Sequence, residues 1–87
     1  MIYSVDKYLN DFEDIRSGCK TFEFFDKEKE YHEGDYFAFN EKNGKGEYTG
    51  RSSLAIIKYI KSANEFITCQ TSTMIASFSL WEKDAIM

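Results

Sequence analysis

Only once along this chain does the spacing of apolar residues follow a helical period. Tyr8, Leu9, Phe12 and Ile15 recur at three- and four-residue intervals within DKYLNDFEDIRSG, which places them on one stripe of a helix. Beyond Gly18 the apolar residues alternate with a period of two, the spacing of strands. A mainly β fold with one short helix is the class that satisfies both patterns. The chain must then fill its core thinly, because a domain this short buries only about 60% of its unfolded surface. Eight Phe, six Tyr and one Trp supply the bulk that a small core needs.

The sequence predicts the elements in turn. MIYSV is an opening strand and Asp6 an N-cap for the helix; acids crowd the early turns and Arg16 the last, as the helix dipole favours. Gly18 suits the left-handed position that ends a helix. From Lys20 to Phe25 a strand follows, then a charged loop DKEKEYHEGD and an aromatic strand YFAFNE. EKNGKGE carries Asn-Gly among polar residues, a hairpin signal. EYTGRSSLAIIKYIK is a long strand bulged near Gly50. After a turn at Ser62-Ala63-Asn64, EFITCQ and TMIASFSLW read as two more strands, and EKDAIM frays or adds a last short one. Hairpin-length links suggest an antiparallel sheet rolled into a small open barrel, with the helix plugging an end or side. Residues 1–87 carry no repeat or linker and are expected to form a single domain. Its exposed strand edges would allow a monomer or a weak dimer.

Charge narrows the partners. Residues 1–48 hold twelve acids against seven bases, and residues 49–87 three against four, giving the net −4. That balance disfavours the long-range attraction behind non-specific nucleic-acid binding, though it leaves room for a local basic pocket. Cys19 and Cys69 form no CxxC pair, and His32 is the one histidine, so neither a zinc site, another metal nor a disulfide framework is expected. No motif asks for a cofactor. Reduced thiols fit a cytoplasmic setting, and no run approaches the roughly 18 apolar residues of a membrane span.

A set of short motifs carries a resemblance. Phe12, Ile15 and Ser17-Gly18 are followed by Lys20-Thr21-Phe22-Glu23, then Gly34-Asp35, then Gly46-Glu47-Tyr48-Thr49-Gly50-Arg51. In order and spacing this resembles the ASCH-type branch of the PUA-like families, in particular a small domain of unknown function frequent in phages and bacteria, over roughly residues 5 to 60. The resemblance implies a PUA-like pseudobarrel with a cleft beside the helix and a role in binding RNA or a modified nucleotide. It implies that Lys20 and Glu23 line the cleft, with Thr21, Tyr48 and Arg51 near it. Members commonly carry Arg where this chain has Phe25, and often where it has Lys29. A planar bidentate donor is thereby lost and a point charge kept.

Three functions are consistent with these residues. In the leading one, Lys20 contacts phosphate or a carbonyl, Glu23 accepts from an exocyclic amine, Tyr48 stacks and Arg51 clamps phosphate. The plain alternative is that Lys20 and Glu23 are surface charges satisfied by neighbours. Residues three apart on a strand face opposite sides, so the pair can share a cleft only if the chain turns sharply between Gly18 and Phe22. A second function is a protein-binding inhibitor or regulator, whose acidic loop, with Glu28, Glu30 and Glu33, engages a basic host protein that handles nucleic acid. The third is hydrolysis of acetylcytidine, as in a related branch that uses a lysine, a threonine and a downstream glutamate. Lys20 fits that lysine, but Glu23 occupies the threonine position, leaving Thr21 to substitute and Glu65 as the later acid. His32 reads as an exposed loop residue, and Cys19, at the wrong end of a helix to be activated, as an incidental thiol.

Overall fold

The computed structural model describes residues 1–65 and 72–81. Five strands and one helix make up the fold: β1 (Ile2–Tyr8), α1 (Leu9–Ser17), β2 (Phe22–Asp26), β3 (Tyr36–Lys42), β4 (Tyr48–Ser62) and β5 (Thr73–Leu80). Short 3-10 turns lie at Lys27–Lys29 and Ala63–Glu65. The strands form one sheet in the order β1-β3-β4-β5-β2, curled into an open barrel. This is the mainly β, one-helix class that the two apolar periods require. The expected strand EFITCQ, apart from Glu65, and the tail EKDAIM lie outside the described residues.

Inward-facing residues of the central strands build the core. Phe37 and Phe39 of β3, Ala55 and Ile57 of β4, and Ala76 and Phe78 of β5 are buried and alternate with more exposed neighbours. Their rings meet tilted or edge-on, with Phe39 and Phe78 centroids 5.0 Å apart. Such contacts exceed plain area burial by about 0.5–1.5 kcal/mol each. α1 lays Phe12 and Ile15, both fully buried, against this cluster.

Three expectations need correction. The sheet is not wholly antiparallel: β1 pairs with β3 in parallel, from Ile2↔Tyr36 to Tyr8↔Lys42. The crossover from Leu9 to Asp35 carries β2 to the far edge before the chain returns beside β1, and a crossover of that length is what a parallel pair needs. Asp6 does not cap the helix. Strand β1 runs on through Tyr8, which takes the N-cap position without a side-chain bond, and Tyr8 and Leu9 are 59% and 45% exposed rather than part of the buried stripe. Lys20 is not in a strand, because β2 begins only at Phe22.

The glycine stop behaves as its chemistry demands. Gly18 adopts φ 89° and donates its N–H to the Ile15 carbonyl, after which the Lys20 N–H bonds the Asp14 carbonyl. A left-handed residue costs an L side chain about 1–2 kcal/mol and glycine almost nothing. The reversal folds Lys20 back over the last turn of α1.

Candidate functional site

The turn at Gly18 gives Lys20 and Glu23 the meeting that strand geometry would have denied them. Lys20 Nζ lies 3.1 Å from Glu23 Oε1 and 3.0 Å from Asp11 Oδ1. Lys7 Nζ pairs with Glu23 Oε2 and, at 3.3 Å, with Asp11 Oδ2. Two lysines and two carboxylates therefore alternate in a closed ring that joins β1, α1, the turn after it and β2. Glu23 is 8% exposed, so its charge would be costly without partners. Both of its oxygens are engaged by lysines.

The ring fixes protonation. Burial works to lower the Lys20 pKa, but the bonds to Asp11 and Glu23 outweigh it and hold the ammonium above its ordinary range. Likewise burial would raise Asp11, yet Lys20 and Lys7 keep its carboxyl below the ordinary range. An amine held charged in this way is a poor general base near neutral pH, where a base needs a pKa close to the operating pH. It is well suited to donating hydrogen bonds.

Beside the ring, between the end of α1 and strands β4 and β5, opens a cleft of about 520 Å³. Ile15, Ile56, Phe78 and Leu80 give it apolar walls; Lys20, Lys58, Thr21 and Ser79 supply polar groups, and Trp81 stands at its end. No carboxylate residue lines it. Thr21 is held there by its carbonyl, which accepts from the Phe78 N–H at 2.9 Å. Lys20 and Thr21 thus share one cleft, while Glu23 faces away from it and supports Lys20 from behind.

Glu23 instead borders a second depression of about 320 Å³ along the seam between β1 and β2. Phe25 and Lys29 line the same depression. Phe25, where the resemblance implies an arginine, meets the Tyr31 ring at 4.8 Å. Tyr31 also contacts Tyr3 of β1 at 4.5 Å and Phe37 at 5.1 Å. These rings form an aromatic plug along the seam.

Tyr48 and Arg51 border a third depression of about 310 Å³, separate from the cleft at Lys20. Lys42↔Tyr48 and Asn40↔Ser52 are paired, so Thr49, Gly50 and Arg51 bulge opposite Glu41 alone. Gly50 makes this possible with φ 93°. The bulge brings Thr49 Oγ1 to donate to Glu41 at 2.6 Å, and Arg51 Nε to 3.6 Å from the same buried carboxylate. Arg51 also pairs with Glu13 at 3.3 Å and stands over the Phe12 ring. The Tyr48 hydroxyl donates to Asp6, and Lys42 lies over the Tyr48 ring at 4.8 Å. The predicted ligand residues therefore divide among three depressions.

The loop acids also differ among themselves. Glu28 and Glu30 are exposed, with Asp26 accepting from the Glu28 N–H and Glu30 at φ 53°. Glu33 accepts from the Ile60 N–H at 3.0 Å and so ties the loop to β4. Asp35 gathers the Tyr3 hydroxyl at 2.9 Å and the N-terminal ammonium at 3.1 Å. His32 and Cys19 are exposed, and Glu65 ends the 3-10 turn Ala63–Glu65. Among the described residues there is no cluster of potential metal ligands, and no helix is long and apolar enough to cross a membrane.

Four residues of this region escaped sequence reasoning: Lys7, Asp11, Lys58 and Trp81. The i,i+4 spacing of Lys7 and Asp11 was a visible signal, although Lys7 lies in β1, which runs to Tyr8, and not in the helix. Lys58 and Trp81 belong to no motif.

A model of the family described as "Domain of unknown function (DUF3850)" matches residues 5–76. No curated protein matches the chain.

Proposed function

The chain belongs to the DUF3850 family, and from its cleft we propose that it is a small RNA- or nucleotide-binding domain of the PUA-like, ASCH type. One observation carries this reading. In a chain of net charge −4, the cleft of about 520 Å³ carries two lysines, two hydroxyls, apolar walls and no carboxylate. Its volume falls within the range of about 300–1,000 Å³ typical of small-ligand sites. Lys20 has three N–H donors, of which Asp11 and Glu23 take two, leaving one for a ligand carbonyl, hydroxyl or phosphate. Thr21 adds a hydroxyl on the same rim. Glu23 serves as the positioning residue that aims Lys20, and Tyr48 and Arg51 stabilise the β3–β4 bulge rather than touching the ligand.

The test is retention of a mixed single-stranded RNA pool on a filter at low salt. Wild-type protein retains RNA, Lys20→Ala weakens retention about five-fold, the loss of roughly one hydrogen bond, and Arg51→Ala leaves it unchanged. Absence of any retention at low salt, together with absence of mononucleotide binding, overturns the reading.

A second reading is favoured by the exposure of Glu28 and Glu30, neither of which has an ion-pair partner among the described residues: the loop would engage a basic surface of a host protein. Charge reversal at both positions abolishes such capture; unchanged capture by that variant sinks this second reading.

A further inference from the structure

The cleft's two lysines are not equivalent. Lys20 belongs to a ring whose charges sum to zero, so it offers a hydrogen bond but little net field. Lys58 lines the cleft and makes no ion pair among the described residues, so within them its charge is uncompensated. Its position comes from a break in the sheet. Ile57 pairs with Phe78 and Tyr59 with Ser77, so Lys58 is an extra residue with no partner on β5. The inward-outward alternation of β4 fails at this point, leaving Lys58 and Tyr59 both exposed in succession. A bulge bends its strand and re-aims a side chain, and such bulges are enriched beside functional sites.

Trp81 is the second asymmetric feature. It is 49% exposed, an unusual state for the one indole of a small core-poor domain. Its backbone N–H bonds the Leu54 carbonyl at 2.7 Å, and the Tyr36 ring meets it at 5.9 Å and 89°. An edge-on neighbour steadies the indole without stacking over it. A held, half-exposed aromatic face beside an unpaired ammonium matches the two halves of a nucleotide, a base that stacks and a phosphate that attracts a cation.

We infer that Lys58 and Trp81 form a subsite for a single nucleotide unit, Lys58 binding the phosphate and Trp81 the base. This rests on the nucleotide-binding reading of the cleft and adds to it the class of ligand: one nucleoside monophosphate, free or as an unpaired residue of RNA. Sequence-independent stacking on an indole and a point-charge contact from lysine give little discrimination between bases. Discrimination falls instead between nucleotide and nucleoside.

The chain's one tryptophan reports the event directly. Trp81 emission of the intact protein is followed during titration with a nucleoside, its 5′-monophosphate and a short oligoribonucleotide, with filter retention of labelled oligoribonucleotide in parallel. The monophosphate and the oligonucleotide quench emission and saturate, and the nucleoside binds about ten-fold more weakly. Lys58→Gln brings the monophosphate to the level of the nucleoside, whose own binding does not change, and Lys58→Arg retains most of the preference. A tighter fit of the oligonucleotide assigns the subsite to RNA, and equal affinity assigns it to free nucleotide; both support the class. If retention is positive while Trp81 emission stays constant, or Lys58→Gln keeps the phosphate preference, the subsite falls and the cleft reading stands. If neither retention nor quenching occurs, both fall.

Discussion

Lys7 on β1 and Glu23 on β2 form an ion pair across the seam where the two outermost strands of the curled sheet approach each other. β1 is paired only with β3, and β2 only with β5, so no backbone ladder closes the barrel among the described residues. Side chains close it instead. Lys7 and Glu23 both lie on the inner side of their strands, and each alone would be a charge turned towards an apolar interior. An inward-pointing charge on an edge strand also discourages pairing with a foreign strand. The same pair that seals the seam thus protects two open edges.

Removing one partner should therefore cost more than the size of the contact suggests. Glu23→Gln leaves Lys7 and Lys20 sharing Asp11, and partly buried charges left unpaired in this way cost about 2–3 kcal/mol. For a domain of this length that lowers the melting temperature by roughly 10–20 °C. The double variant Lys7→Met/Glu23→Met retains the neutral Lys20–Asp11 pair and loses less than Glu23→Gln alone. Thermal unfolding by circular dichroism measures both, and equal melting temperatures for wild type and Glu23→Gln would refute the role of the ring.

The aromatic plug is the apolar half of the same closure. Tyr31 touches Tyr3, Phe25 and Phe37 and belongs to the margin of the core. Tyr31→Ala removes those contacts from both sides of the seam, at about 2–4 kcal/mol for a partly buried aromatic. Tyr31→Phe keeps the ring and is nearly neutral. Hydrogen exchange distinguishes local from global loosening: Tyr31→Ala speeds exchange in β1 and β2 first, ahead of β3 and β4.

How far the sequence could be read depended on whether a property was local. Gly18 and the bulge at Gly50 follow from nearest-neighbour chemistry and are present where the residues indicated; among the described residues the period-two runs also form strands, although β2 begins at Phe22 and not at Lys20. Lys20 and Glu23 do come together once a sharp turn precedes Phe22, but as an ion pair, and the cleft they were expected to share is lined by Lys20 without Glu23. What could not be read is long-range. Nothing in MIYSV states that its partner is β3 and runs parallel, because that depends on where β2 is carried. Lys7 and Asp11 join Lys20 only after that folding, and Lys58 and Trp81 come together through a bulge and a strand end that carry no motif. Asp6 illustrates the limit: a good N-cap by type, it was claimed by β1 and by the Tyr48 hydroxyl.

Stability should fall at both ends of the pH scale. Asp11, with burial opposing and Lys20 and Lys7 prevailing, and Asp35, through the Tyr3 hydroxyl and the N-terminal ammonium, have folded pKa values below their ordinary 3.8. Their contribution is present above about pH 3.8 and is lost as pH falls through the lower folded values. At the other end, Lys20 is raised above 10.5, and Tyr3, through Asp35, and Tyr31, through burial, are raised above 10.0. Those contributions are complete below pH 10 and vanish as pH climbs through the raised values. Urea midpoints measured from pH 2 to 12 decline at both limits, and Asp11→Asn flattens part of the acid limb. An unchanged acid limb in that variant would be inconsistent with Asp11's place in the ring.

Gly50 tests the bulge that sets Thr49 and Arg51 over Glu41. Nothing lies within 4 Å of the position a Cβ would take there, so Gly50→Ala meets no clash and reports only the cost of φ 93°. That cost is about 1–2 kcal/mol. Gly50→Asn should be milder, since Asn tolerates the left-handed region, and Gly50→Val more severe. The order Asn, Ala, Val in urea midpoint is the check; three equal values would mean that the bulge relaxes without strain.

The loop acids separate one anchoring residue from two free ones. Glu33 accepts the Ile60 N–H, whereas among the described residues no such bond to the β strands is made by Glu28 or Glu30. Glu33→Ala leaves that amide without its acceptor beside a strand end and costs about 1 kcal/mol, and Glu33→Gln keeps an acceptor and recovers most of it. Reversing Glu28 and Glu30 to lysine changes stability by less than about 0.5 kcal/mol, as surface substitutions usually do. Amide exchange at Ile60 supplies the site-specific readout: it accelerates in Glu33→Ala, is close to wild type in Glu33→Gln, and is unmoved by the reversal. Acceleration of Ile60 in the Glu28 and Glu30 variant would show that the loop is held as a unit, and that no part of its acidic surface is free to serve a partner without disturbing the fold.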